Sequence, residues 1–335
     1  MPFINDILKF KSISFVGLQK NTGKTETMNY VLNRLCSYPN IKAGITSIGI
    51  DGEKSDLVTN TKKPEIFLYP NTFFTTVEEF YKSKNIISNI LSVSKQKTIL
   101  GRLITSQSIS SGKIMISGPN NNLWLKEIID EMIGFGANIV LVDGAISRMS
   151  FGSPTITEAM ILSTGANVSL DIKTIVKKTN FVYQLTELPE VEKEIKDKIF
   201  DLDMGIYSID KDINIIDLDI PSVLLIDKYK DKLISEYKDI YFSGIITDKL
   251  LDLIINQKSS HNYRIIVKDF TKIFSSQEKT ELFIRKVGKI NVVNKTNLIA
   301  ITVNPTSTVG YNLNSDELID RLKQVIPIPI YNIKD

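Results

Sequence analysis

The chain has 335 residues, of which 42% are hydrophobic and 24% charged, with a formal net charge of +3. That is ample for a packed core, and with lysines and acids interspersed it is too balanced for a protein whose main partner is nucleic acid. One cysteine, Cys36, and one histidine, His261, exclude internal disulfides and metal or catalytic sites built from several such residues. The opening "MPFINDILKFKSISF" has no basic region followed by a long apolar core, and no run approaches the roughly 20 apolar residues of a membrane span. A cytoplasmic protein without a membrane partner is expected.

In chain order, an apolar strand "SISFVGL" (12–18) leads into a glycine-bearing loop and a helix over 24–37. A strand "AGITSIGI" (43–50) follows, then an insertion over about 57–112, a strand "KIMISG" (113–118) and a helix over 122–136. Next come a strand "NIVLVDG" (138–144) and a helix over 153–165, "SPTITEAMILSTG". A second insertion, about 171–235, holds a charged helix "EVEKEIKDKIF" and a hairpin "GIYSIDKDINIIDLD". Strands "YFSGIIT" (241–247), "RIIVKDF" (264–270) and "LIAITVNP" (298–305) complete the pattern. Alternating strands and helices of this kind predict an α/β fold with a mostly parallel sheet. With no change of composition between the halves, a single domain over 1–335 with two insertions is expected.

The loop "GLQKNTGKT" carries Gly23-Lys24-Thr25, the end of a phosphate-binding signature. Such a glycine lets backbone N–H groups approach phosphate oxygens, Lys24 reaches the β- and γ-phosphates, and the Thr25 hydroxyl holds Mg²⁺. The predicted nucleotide-binding set is Gly17, Lys20, Asn21, Thr22, Gly23, Lys24, Thr25 and Glu26. The standard signature places a glycine where Leu18 stands, so with Gly17 the loop is one residue longer. That spacing resembles dethiobiotin synthetase-like enzymes among the P-loop NTPases, and Lys20 resembles the extra lysine of that class, displaced by one position.

Such a loop needs acidic company. Asp143 ends the run "NIVLVD" and is the first candidate for Mg²⁺, although Asp-Gly after a strand is also a plain turn. Asp51, in "IDGEKSD", is the second, and the resemblance to the dethiobiotin synthetase-like class implies a carboxylate there near Mg²⁺ or the attacking group. Lys24, Asp51 and Asp143 are thus the catalytic candidates, with Thr25, Asp51 and Asp143 on the metal. Glu53, Asp56, Arg148 and the strand end Ser117–Pro119 are weaker candidates. The same resemblance puts Asn304 and Pro305, after the strand 298–303, against an adenine ring; Asn-Pro is also an ordinary turn opener.

Several segments in order, "VGLQKNTGKTETMNY", "GITSIGIDGEKSDLVTNTKKP", "SGPNN", "LVDGAISRMSFGSP", "ILSTGAN", "VKDFTKIF" and "ITVNPTSTVG", resemble the nucleotide-binding subunit of the lysine 5,6-aminomutase reactivase. The resemblance implies a Mg²⁺-dependent ATPase of lysine fermentation that releases damaged cobalamin from the adenosylcobalamin-dependent aminomutase. It implies a MutS-related partner subunit, with cobalamin held only by the partner enzyme, and loops Asp51 to Asp56 and Arg148 to Pro154 that move with the γ-phosphate. A homo-oligomer is compatible with it. Read from the residues without the resemblance, a small-molecule ligase or kinase and a non-catalytic nucleotide-binding scaffold stay open.

Overall fold

The computed structural model describes residues 4–48, 66–144, 156–202, 204–229, 239–256 and 262–333. The chain divides into two compact units, 1–180 with 297–335, and 181–296. In chain order the strands of the first part are β1 Ser12–Gly17, β2 Ala43–Ser47, β3 Ile66–Leu68, β4 Phe73–Val77, β5 Ser88–Thr98, β6 Gly101–Ser108, β7 Gly112–Ile114, β8 Ile139–Asp143 and β9 Ala159–Gly165. Strands β10 Ile206–Ile209, β11 Ile215–Asp217, β12 Asp239–Phe242, β13 Tyr263–Val267 and β14 Gly288–Val292 follow, and then β15 Leu298–Asn304 and β16 Ile330–Asn332.

The first unit is built on a nine-stranded sheet in the order β16-β15-β9-β1-β8-β2-β4-β6-β5. Its strands run parallel from β16 to β4, and β6 and β5 extend it antiparallel at one edge. The glycine loop thus leaves a central strand, flanked on both sides by parallel neighbours.

Helices cover both faces. On one, α1 (Ile4–Ile7) and α2 (Lys24–Cys36) pack with Ile13, Phe15, Ile45, Leu141 and Ile161 of the sheet. Helix α2 buries Met28, Val31, Leu32 and Leu35, a spacing of three and four that lays one apolar stripe on the sheet. Each such side chain contributes about 1.5–3 kcal/mol by leaving water. After the short α3 (Glu78–Lys82) comes α4 (Asn122–Gly134), which covers the other face with Trp124, Leu125, Ile128, Ile129 and Met132 against Val140 and Val142. The side chain of Asn121 caps α4 by accepting from the Trp124 N–H at 2.9 Å.

The boundary between the units falls within α5 (Ile172–Thr186). The second unit holds a separate five-stranded sheet, β11-β10-β12-β13-β14, with α6 (Lys193–Ile199), α7 (Asp248–Ile255) and α8 (Gln277–Lys286). The predicted hairpin is present as antiparallel β10 and β11, its turn tied by Asp210 accepting from the N–H groups of Asp212 and Asn214. Arg264 on β13 joins Glu192 and Asp239 in one charge cluster. Back in the first unit, α9 (Ser315–Lys323) precedes β16.

Four expectations change. The segment 153–165 was expected to be helical, but its described part carries β9, buried at every position and paired with β1 on one side and β15 on the other. A central parallel strand is apolar on both faces, so its sequence lacks the alternation that marks a half-buried strand. The segment 113–118 does not join the parallel sheet; β7 pairs antiparallel with β3 in a separate ribbon. The region 57–112 is not a mere excursion, since β4, β5 and β6 belong to the main sheet. Finally, strands near 241–247 and 264–270 form the second sheet and not a continuation of the first.

Gly165 ends β9 with φ +147°, and a Cβ there would collide with the backbone carbonyl of Asn304, its register partner on β15. Only glycine adopts this conformation without strain. Gly165→Ala is expected to cost about 2–4 kcal/mol of stability from combined strain and overlap. The thermal midpoint of the purified variant checks this; an unchanged midpoint would show that the β9–β15 ends separate freely.

Candidate functional site

The site is built where β1 ends. Beyond Gly17, the Leu18 N–H still bonds the Ser163 carbonyl of β9 at 2.9 Å, so the loop starts anchored to the sheet. Thr22 is buried and its hydroxyl donates to the Gln19 carbonyl at 2.9 Å. Asn21 and Gly23 both take the left-handed conformation, with φ 62° and 88°. These two reversals turn the chain into α2.

Gly23 is the N-cap of α2, and no side chain caps the helix. The first intrahelical bond is Thr27 N–H to Gly23 carbonyl, 2.9 Å. The N–H groups of Lys24, Thr25 and Glu26 therefore precede the helical ladder at the positive end of the helix dipole. An uncapped N-terminus of this kind is an anion site in waiting, and Lys24 adds a full positive charge to it.

Two asparagines outside the loop hold it in shape. Asn167 and Asn304 both donate from their side-chain amides to the Asn21 carbonyl, at 2.7 and 3.2 Å. Asn167 Oδ1 accepts from the N–H and hydroxyl of Thr308, and Asn304 Oδ1 from the Thr306 N–H. Asn304, expected beside an adenine ring, gives its amide N–H to the loop and accepts from Thr306 of its own segment. Asn167 was missed as a loop partner: it lies just after β9, beyond the segment 153–165 expected to be helical, and its closeness to the loop depends on β9 lying next to β1. Below the loop, Thr27 on α2, Thr302 on β15 and Ser163 on β9 form a buried hydroxyl chain of 3.0 and 2.9 Å links. Pro305 is buried beside Asn304, while Lys20 and Glu26 lie exposed on the loop and the first helical turn.

Asp143 is the last residue of β8, on the strand next to β1, so its carboxylate sits at the same sheet edge as the loop. Lys24 forms an ion pair with Asp143 and donates to the Gly144 carbonyl. Both side chains are largely withdrawn from water, 14% and 17% exposed. Asp143 Oδ1 faces the ammonium but takes part in no aligned hydrogen bond. Lysine and carboxylate thus neutralise each other.

The structure therefore brings together Gly17, Asn21, Thr22, Gly23, Lys24, Thr25, Asp143 and Asn304. Asp51, Glu53, Asp56 and Arg148 lie outside the described residues. The oxygen donors Thr25 and Asp143 suit a hard cation such as Mg²⁺, which takes few protein ligands and completes its shell with phosphate and water. Among the described residues no cluster of three or more acids, histidines or cysteines could hold a metal by itself. Among the described residues, too, no helix is long and apolar enough to cross a membrane. Comparisons with protein families, with curated proteins and with solved structures returned no match.

Proposed function

We propose that this protein is a P-loop ATPase that reactivates adenosylcobalamin-dependent lysine 5,6-aminomutase by driving release of damaged cobalamin, acting with a MutS-related partner subunit. The observation that carries the nucleotide part is the meeting of Lys24, from an uncapped helix N-terminus after a central strand, with Asp143 from the neighbouring strand. The aminomutase part rests on the resemblance of the segments quoted above.

In this reading the N–H groups at the start of α2 take the β-phosphate oxygens. Lys24 leaves Asp143 for the γ-phosphate, and Thr25 with the freed Asp143 holds the cation. Mg²⁺ held by Thr25 and Asp143 would supply neutralisation of the charge that develops on the phosphate. Asn167 and Asn304 keep the loop from relaxing while Lys24 changes partners.

The decisive experiment measures Mg²⁺-dependent ATP hydrolysis by the chain alone, with the MutS-related subunit, and with both plus cobalamin-inactivated aminomutase. Stimulation by the inactivated enzyme with recovery of its activity is the expected result. ATP binding without stimulation in every mixture would favour the second reading, a ligase or kinase resembling dethiobiotin synthetase. One observation favours that reading: Ser117 is fully buried beside Gly118, which abuts the end of β2, and its hydroxyl has no partner among the described residues. A small acceptor could take that hydroxyl.

A further inference from the structure

Ser47 is the last residue of β2. Side chains alternate along a strand, so Ser47 shares a face with Ala43 and Ile45, which pack in the core beneath α2. The same alternation on β8 puts Asp143 on the face of Ile139 and Leu141, also in that core. Ser47 and Asp143 are direct register partners, and the Ile48 N–H bonds the Asp143 carbonyl at 3.1 Å, so the two strand ends stay in register to their last residue. Parallel neighbours lie about 4.8 Å apart, within reach of one bridging group between side chains.

One polar atom at this spot, Ser47 Oγ, is buried without a hydrogen bond among the described residues, while Asp143 Oδ1 is engaged by the Lys24 ammonium. Ser47 is 6% exposed, and Gly118 closes over it so tightly that a Cβ on the glycine would overlap the Ser47 carbonyl. Buried hydroxyls without partners are rare because they lose their hydration for nothing in return. Here the hydroxyl lies beside the carboxylate assigned to the cation. A serine hydroxyl has one proton and two lone pairs, whereas a carboxylate only accepts.

We propose that Ser47 is a positioning residue for the cation at Asp143. Its hydroxyl would donate a hydrogen bond to the Asp143 carboxylate once Lys24 has turned to phosphate, and so hold that carboxylate in place for the cation. The proposal rests on the nucleotide-binding reading of the loop and adds to it a residue that no phosphate-loop signature contains. Groups that orient a metal-binding carboxylate commonly alter metal affinity when removed.

The test uses the full chain and Ser47→Ala, with wild type and Lys24→Ala in parallel. Nucleotide binding is followed by titration calorimetry over a series of Mg²⁺ concentrations and again with chelator, and thermal midpoints are taken without ligand. Ser47→Ala is expected to raise the Mg²⁺ concentration for half-maximal binding about tenfold. Chelator-condition binding and the ligand-free midpoint should stay unchanged or rise, because the hydroxyl it removes has no partner to lose. Ser47→Cys, similar in size but a poor hydrogen-bond donor, should behave alike. A Mg²⁺ requirement equal to wild type in both variants would overturn the role of Ser47 while leaving the loop assignment intact. A wild-type chain that binds no nucleotide would overturn both.

Discussion

Replacing Lys24 by alanine is expected to weaken Mg²⁺·ATP binding about 100-fold, the equivalent of roughly 2.8 kcal/mol at about 1.4 kcal/mol per tenfold. Among the described residues, this lysine places a full positive charge at the mouth of the helix N-terminus, with its ammonium at the Asp143 and Gly144 oxygens. Its hydrogen bonds to phosphate are charge-assisted, and those are about twice as strong as neutral ones. A second consequence appears without nucleotide. Asp143 is only 17% exposed, so the variant strands a half-withdrawn carboxylate without its counterion. That should cost about 1–3 kcal/mol and lower the thermal midpoint of the ligand-free protein. Calorimetric titration with ATP and Mg²⁺ checks the first effect and a thermal scan the second. Unchanged affinity would sink the phosphate-loop assignment, whatever the scan shows.

Asp143→Asn separates binding from turnover. The amide keeps the shape but not the charge of the carboxylate, so cation binding and charge neutralisation in the transition state suffer. A loss of about 2–4 kcal/mol in barrier lowering corresponds to roughly 30- to 1000-fold in rate. Nucleotide binding in chelator should survive and even tighten, because Lys24 no longer has to leave an ion pair before meeting phosphate. Steady-state hydrolysis with and without Mg²⁺, beside equilibrium binding in chelator, gives both numbers. Normal turnover would return Asp143 to the role of a strand-end turn residue.

The strength of these two expectations comes from the way the loop is held. Asn167 and Asn304 reach from two other strand ends to a single carbonyl, that of Asn21. Gly165 stands shortly before Asn167 in the chain and is the register partner of Asn304, at the point where β9 passes the Asn304 backbone. A disturbance at Gly165 is therefore expected to reach the loop through its clamps, linking the stability prediction made for Gly165→Ala to nucleotide affinity.

What the sequence by itself determined is local. A buried strand expected over 12–18 and a helix expected over 24–37 are both present, as Ser12–Gly17 and Lys24–Cys36. The position of Asp143 at a strand end was equally legible, because four apolar residues followed by Asp-Gly read as a strand running out of the core. Helix 122–136 and the hairpin within 205–219 belong to the same class: short-range periodicity and turn chemistry decide them. What only the tertiary structure decided is neighbourhood. Strand order in a parallel sheet is set by crossovers tens of residues long, which no local pattern encodes, so the sequence could not say that β9 and β8 flank β1 or that Ser47 stands in register with Asp143. The same limit explains why 159–165 reads as a helix and why the strands of the second unit read as part of the first sheet. A strand buried on both faces carries no alternation, and apolar runs of one kind serve either sheet until packing assigns them.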